Sequence, residues 1–399
     1  MKEILGKCRF NVLISVFLVL VLLAVPVSAG AVWDTKEIPY ENASVVGGEI
    51  SGDYIVFLAA KGMNLTDNRI VLYNVETGKK SIIGTPSSGM SVTGEDVSGD
   101  YAVWVETPLP DFEEVETETK PNVIYLMNIP ENSVKALSFP GTAEWPKISG
   151  ETILWSNSSE TSMDAELNIY DIKTGESKKV FSTNGDDSGI IYDGENILYD
   201  NMTSLRIHNV KSGLDTAIFD YEHGNESASG VDSFAMAGDY VVYVKRTVVF
   251  EGDDRGTYYE PYLYTISTGK SQLLNPETGA FADSLTKQEK ESSINSPFTD
   301  GKTVGWGYLK KDYNSEIIML YPETQKTSKI DVSGSVSNIR IDGNQMIWTV
   351  SHFPSFDETL YYSKESAKTE ETPASPGFSA IVAFTGLTVS LFVIRKIRK

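Results

Sequence analysis

Side chains able to do covalent or acid–base chemistry are few in this 399-residue chain, and their spacing excludes the common constellations. The only histidines are His208, His223 and His352, and the only cysteine is Cys8. No serine stands in a Gly-x-Ser-x-Gly elbow, no His-Glu-x-x-His offers two imidazoles from one helix face, and no glycine-rich loop could cradle a phosphate. His208 lies five residues before Gly213, a place that Tyr73, Tyr170 and Tyr264 hold before Gly78, Gly175 and Gly269, so it reads as a packing residue. The acidic turns Asn184–Gly189 and Glu251–Asp254 could supply oxygen ligands to calcium, but neither has the twelve-residue loop with a closing glutamate. The expectation is a chain with no catalytic residues and no cofactor, with calcium as the one metal its acidic turns could take.

The groups that remain must be positioned by a repeat. Ile50-Ser-Gly-Asp-Tyr-Ile-Val-Phe57 returns at Val97–Trp104, Ile148–Trp155, Tyr192–Tyr199, Met236–Tyr243, Thr299–Trp306 and Ile341–Trp348. Three residues after each glycine stands an apolar side chain (Ile55, Ala102, Ile153, Ile197, Val241, Val304, Met346), and five after it an aromatic one (Phe57, Trp104, Trp155, Tyr199, Tyr243, Trp306, Trp348). Those positions share one face of a strand, so the aromatics are expected in the core between repeats. A second alternating run ends in a Gly turn, as in Ile70–Gly78, Leu167–Gly175, Leu205–Gly213 and Tyr262–Gly269. The repeat glycines at 52, 99, 150, 194, 238, 301 and 343 are 47, 51, 44, 44, 63 and 42 residues apart. A period of roughly 40 to 50 residues with four short strands predicts an all-β, seven-bladed β-propeller. The last repeat lacks an outer strand, and Trp33–Pro39 resembles one, so the N-terminal strand is expected to close the seventh blade.

Three segments exceed the usual connection length: Glu106–Pro121, Lys245–Glu260 and Asn275–Pro297. In a propeller they emerge on one face, opposite the repeated turns. Their aromatic and charged residues Phe112, Glu114, Asp253, Asp254, Arg255, Tyr258 and Tyr259 therefore form a candidate binding face.

The ends of the chain carry sorting signals. Lys2, Lys7 and Arg9 precede the apolar run Val12–Val25, and Val27-Ser-Ala29 places small residues for cleavage after Ala29, so residues 1–29 read as a secretory signal peptide. The propeller is expected over 30–363 and a polar spacer over 364–375. Residues 376–399 hold Pro376-Gly377-Phe378, then an uncharged stretch of transmembrane length, Gly377–Ile394, and the basic tail Arg395–Lys399. Of 34 basic and 55 acidic residues, removal of both ends leaves 27 against 54, a net charge of −27. Such a body repels nucleic acid, which is excluded as a partner. Five Asn-x-Ser/Thr sequons, at Asn42, Asn64, Asn157, Asn201 and Asn225, fit a glycosylated surface.

Two resemblances follow from these residues. Pro376-Gly-Phe378, the span and the basic tail resemble the PGF-CTERM signal of archaeal surface proteins, which implies an archaeosortase-like processing enzyme, a membrane anchor and a place on the outer face of the plasma membrane. The repeat Ile50–Phe57 followed by Ile70–Lys79 resembles TolB-like propellers, which implies contacts with surface proteins or glycans, as in an S-layer. The expected function is a non-catalytic archaeal cell-surface binding module, and the alternative is an extracellular glycan lyase or hydrolase with its site in the propeller channel.

Overall fold

The computed structural model describes residues 32–366 except 41–42, 62–66, 110–119, 138, 140–141, 159–163, 185–188, 252–253, 292 and 353–356. Seven antiparallel sheets form the blades of a β-propeller, six of four strands and one of five. The inner strands are Ser44–Ser51, Met90–Ser98, Thr142–Ser149, Ile191–Tyr192, Ser227–Ala237, Ser293–Thr299 and Ser335–Asp342, for blades 1 to 7. Blade 7 takes its outer strand, Val32–Ile38, from the N-terminal end, so that end closes the last blade as the repeat predicts. Thr35 Oγ1 lies 3.0 Å from Ser363 Oγ across that junction.

Each repeat glycine turns the inner strand into the second with a positive φ, from 55° at Gly52 to 96° at Gly194. That region favours a residue without Cβ. The residue just before the glycine then ties blade to blade. Ser51 Oγ accepts from Gly99 N at 3.0 Å, Ser98 Oγ from Gly150 N at 2.9 Å, Asp300 Oδ2 from Gly343 N at 3.1 Å and Asp342 Oδ2 from Gly52 N at 2.6 Å. The last of these crosses the closure.

The core lies between blades. Ile55 and Phe57 of blade 1 pack with Ile347 and Leu360 of blade 7, whereas Val56 and Leu58, on the other face of the same strand, pack with Val97, Ala102 and Trp104 of blade 2. All seven aromatics of the repeat are buried. Each such side chain contributes about 2 kcal/mol of burial, and the period-2 pattern sends the residues between them to the other neighbour.

The long segments are more regular than their sequence suggests. Lys245–Glu260 is not a loop: Tyr240–Glu251 pairs with Asp254–Thr265 from Tyr240↔Thr265 out to Glu251↔Asp254. Its Thr-Val-Val-Phe and Thr-Tyr-Tyr runs favour strand, which extends the blade outward. Asn275–Pro297 contains the short helix Lys287–Lys290, capped by Thr286 in a capping box with Glu289. Most of Glu106–Pro121 lies outside the described residues, as do 1–29, 367–375 and the sorting segment 376–399. Among the described residues no helix is long and apolar enough to cross a membrane.

Candidate functional site

The inner strands enclose a cavity of about 460 Å³ on the propeller axis. One position of the repeat lines it in all seven blades: the residue three before the turn glycine, which is Glu49, Asp96, Lys147, Ile191, Ala235, Phe298 and Arg340 in blades 1 to 7. The chemistry of this ring is divided. At this position blades 7, 1, 2 and 3 contribute a contiguous arc of four charges and blades 4, 5 and 6 apolar side chains, extended by Ile190, Phe234 and Met236 and interrupted by Asp232 of blade 5, whose pKa burial raises.

A break in the ladder shapes the charged arc. Six inner strands shift register at mid-strand, and in blades 2, 3, 6 and 7 two residues face a single tryptophan of the second strand. Gly94 and Glu95 face Trp104, Trp145 and Pro146 face Trp155, Ser296 and Pro297 face Trp306, and Asn338 and Ile339 face Trp348. Bulges of this kind re-aim side chains and recur next to functional sites. Here they deliver Asp96, Lys147, Phe298 and Arg340 to the cavity immediately afterwards.

Arg340 Nε donates to both carboxylate oxygens of Glu49, at 2.9 and 2.8 Å, and its guanidinium also donates to the Ile339 carbonyl at 3.0 Å. The Glu49 charge holds the Arg340 pKa above its ordinary value. Asp96 is fixed by two backbone donors, Val97 N at 2.8 Å to Oδ1 and Ile148 N at 2.8 Å to Oδ2. Burial raises its pKa, with Lys147 opposing and Glu49 assisting. Glu95 precedes it in the bulge of blade 2's inner strand, outside the cavity lining. Burial pushes its carboxyl up to about 7; its own amide and Lys147 oppose the shift and Glu49 adds to it. Among the described residues Lys147 makes no ion pair within 4.0 Å. The arc therefore holds a tied Arg–Glu pair, an ammonium without an ion pair and Asp96, with Glu95 next to Asp96 but outside the cavity lining, and burial raises both carboxyls above their ordinary range, as at many acid–base sites.

The residues singled out in the sequence lie elsewhere. His208 is buried in blade 4, stacked on Phe181 with centroids 4.2 Å apart, and burial lowers its pKa. His223 is exposed on a two-residue strand, Glu222–His223, that adds to the inner edge of blade 5. His352 ends the second strand of blade 7. Of the candidate binding face, Phe112, Glu114 and Asp253 lie outside the described residues, and Asp254 and Arg255 begin the third strand of blade 5. Tyr258 lines a separate cleft of about 490 Å³ with Lys245, Glu260, Lys287 and Lys290. Tyr259 packs against the core between blades 5 and 6. Among the described residues, neither Tyr258 nor Tyr259 lines the channel. Of the sequons, Asn225 is exposed, the Asn157 side chain accepts from Thr142 N at 3.0 Å, Asn201 caps its own turn, and Asn42 and Asn64 lie outside the described residues. The acidic turns border 185–188 and 252–253, also outside. Among the described residues no group of three or more His, Cys, Asp or Glu is placed to hold a metal.

Solved structures share the propeller fold. The β-propeller domain of the Trilobed protease from Pyrococcus furiosus superimposes with a TM-score of 0.53 at 11% identity, over 84% of this chain and 99% of that one. Oligogalacturonate lyase in complex with manganese gives 0.53 at 12% identity, over 85% and 94%. Acylaminoacyl peptidase from Pyrococcus horikoshii gives 0.52 at 12%, over 81% of this chain and 52% of that one, so the chain spans about half its length. No family model and no curated protein matches the sequence. At these identities the likeness is one of fold. It overturns the expectation that the chain is not an enzyme, because the same propeller serves in a lyase and in peptidases. That expectation rested on motifs of other folds, which a propeller site built from one residue per blade would not contain.

Proposed function

We propose that the protein is an exported propeller that takes a glycan into its channel and hydrolyses it with Glu95 and Asp96. The observation that carries this reading is Asp96 in the channel lining with Glu95 next to it in the chain, both raised by burial, in the same arc as Lys147 and across from a largely apolar wall that Asp232 interrupts. A pyranose has a hydroxyl edge and an apolar CH face, which suit the two arcs. Glu95, whose carboxyl is pushed up to about 7 so that a share of it stays protonated at neutral pH, gives its proton to the bridging oxygen as the C–O bond breaks. Asp96, ionised, takes a proton from the water whose oxygen bonds to the sugar carbon. The lyase among the similar structures supports a glycan substrate. The body charge of −27 favours a neutral glycan over an acidic one.

Export and anchoring belong to the same reading. They rest on the segment ending at Ala29, on Pro376-Gly377-Phe378 with the uncharged stretch and basic tail after it, and on the sequons, and they place the site on the outer face of the membrane of an archaeon.

The test is incubation of the full-chain protein with neutral and uronate tetrasaccharides, with products read by mass spectrometry. Shorter saccharides carrying one added water, lost in E95Q and D96N, are expected. An unsaturated product would replace hydrolysis by elimination, and binding without turnover at any pH would contradict the proposal.

A further inference from the structure

The hairpin that lengthens blade 5 turns one face to the cleft of about 490 Å³ beside it. Lys245 stands opposite Glu260, Thr247 opposite Tyr258 and Val249 opposite Gly256, and alternate residues of paired strands share a face. All of these but Gly256 line the cleft, and Lys287 and Lys290 of the short helix complete the lining. Gly256 leaves room for the tyrosine, since a Cβ there would stand 3.1 Å from Tyr258 Oη.

The lining sets three ammonium groups against one carboxylate, in a chain of 34 basic and 55 acidic residues. Glu260 is 8% exposed and has Lys290 Nζ at 2.9 Å from Oε1 and Lys245 Nζ at 3.9 Å from Oε2, so one buried charge faces two cations. Lys287 has Glu291 at 3.7 Å, but both of those side chains are largely exposed and neutralise each other weakly. The Lys245 side chain is only 22% exposed, and 3.9 Å is beyond hydrogen-bond reach. Its ammonium otherwise lies 5.6 Å from the centre of the Phe219 ring. Among the described residues Lys245 Nζ, Thr247 Oγ1 and Tyr258 Oη make no hydrogen bond. Partly buried donors gathered on one face of a hairpin are costly unless something accepts from them.

We propose that this cleft binds a phosphate or sulfate ester, with Lys245, Thr247 and Tyr258 donating to the oxyanion and Lys290 and Lys287 adding positive charge. Ammonium groups on separate stems together with two hydroxyls suit a tetrahedral group, whose oxygens point in several directions. A flat carboxylate is better matched by the planar fork of arginine, which the lining lacks. The volume falls within the roughly 300–1,000 Å³ of small-molecule pockets. Val249 and the Tyr258 ring give it an apolar wall, so the oxyanion is carried on an organic group. No residue lines both this cleft and the channel cavity, and the inference stands apart from the glycan reading.

The experiment is calorimetric titration of the full-chain protein at low ionic strength with phenyl phosphate, phenyl sulfate, inorganic phosphate, inorganic sulfate and benzoate. One of the two esters is expected to bind, about tenfold more tightly than its inorganic anion because the ring packs on Val249 and Tyr258. Which ester binds tells phosphate from sulfate. K245Q is expected to weaken that ester roughly tenfold and T247V about threefold, from the loss of a charged and of a neutral hydrogen bond. Melting temperatures show that the variants fold; T247V keeps the β-branched shape and carries the test if K245Q does not fold. K147Q, in the channel, is expected to bind the ester as wild type does. Unchanged affinity in the folded variants, loss in K147Q instead, equal affinity for benzoate or for the inorganic anion, or binding of none of the five overturns the assignment.

Discussion

Two arcs of one ring carry opposite chemistry at the same repeat position. Arg340, Glu49, Asp96 and Lys147 follow one another around blades 7, 1, 2 and 3, and Ile191, Ala235 and Phe298 complete the circle. Phe298 of blade 6 follows the same kind of bulge as Asp96, Lys147 and Arg340, so the backbone there does not require charge. The apolar arc meets the needs of packing: Phe298 is 2% exposed and lies among Ile317, Met319, Val336 and Ile339. The charged arc works against them, since burial raises the pKa values of Glu95 and Asp96 away from the ionised form. A cost concentrated in adjacent blades beside a cavity points to a selected site.

The contrast can be broken from either side. The largest effect is expected in the apolar arc, where F298A removes a buried ring and costs about 4 kcal/mol in urea unfolding; a loss near zero would show that the arc is not core. Next comes Glu95. Its proton is held more tightly in the folded protein than in the unfolded chain, so its contribution to stability is full below 4.5, falls as pH rises and is lost once pH passes about 7. E95Q is expected to flatten that slope and to be more stable than wild type at pH 8 by about 2 kcal/mol, read from melting temperatures across pH. A smaller effect follows from E49Q, which leaves Arg340 without its carboxylate. The loss is about 1.5 kcal/mol rather than that of a fully buried pair, because the Arg340 side chain is 40% exposed. The double variant E49L/R340M is expected to recover most of it.

Legibility in the sequence followed the reach of each signal. The turn glycines, the apolar and aromatic positions after them and the spare N-terminal strand are local patterns under the same packing demand in every blade, so the propeller and its closure could be read directly. The charged arc could not be found by looking for neighbours, because Glu49, Asp96, Lys147 and Arg340 are far apart in the chain and each looks like an ordinary polar residue in a strand. Aligning the repeats on the glycine and reading three residues back would have exposed the column. The bulges hid it further, since they break the period-2 alternation that places side chains along the inner strand. The hairpin over Lys245–Glu260 was missed because length and charge suggested a loop, while its alternating Val, Phe and Tyr residues favoured strand.

The central claim is that the carboxyl next to the channel-lining Asp96 titrates well above the ordinary carboxylate range. The most direct measurement is an NMR titration of the Glu95 side-chain carbon in carbon-13-labelled protein, assigned with E95Q. A midpoint near 7 is predicted; a midpoint near that of free glutamate, about 4.3, would contradict the acid–base site.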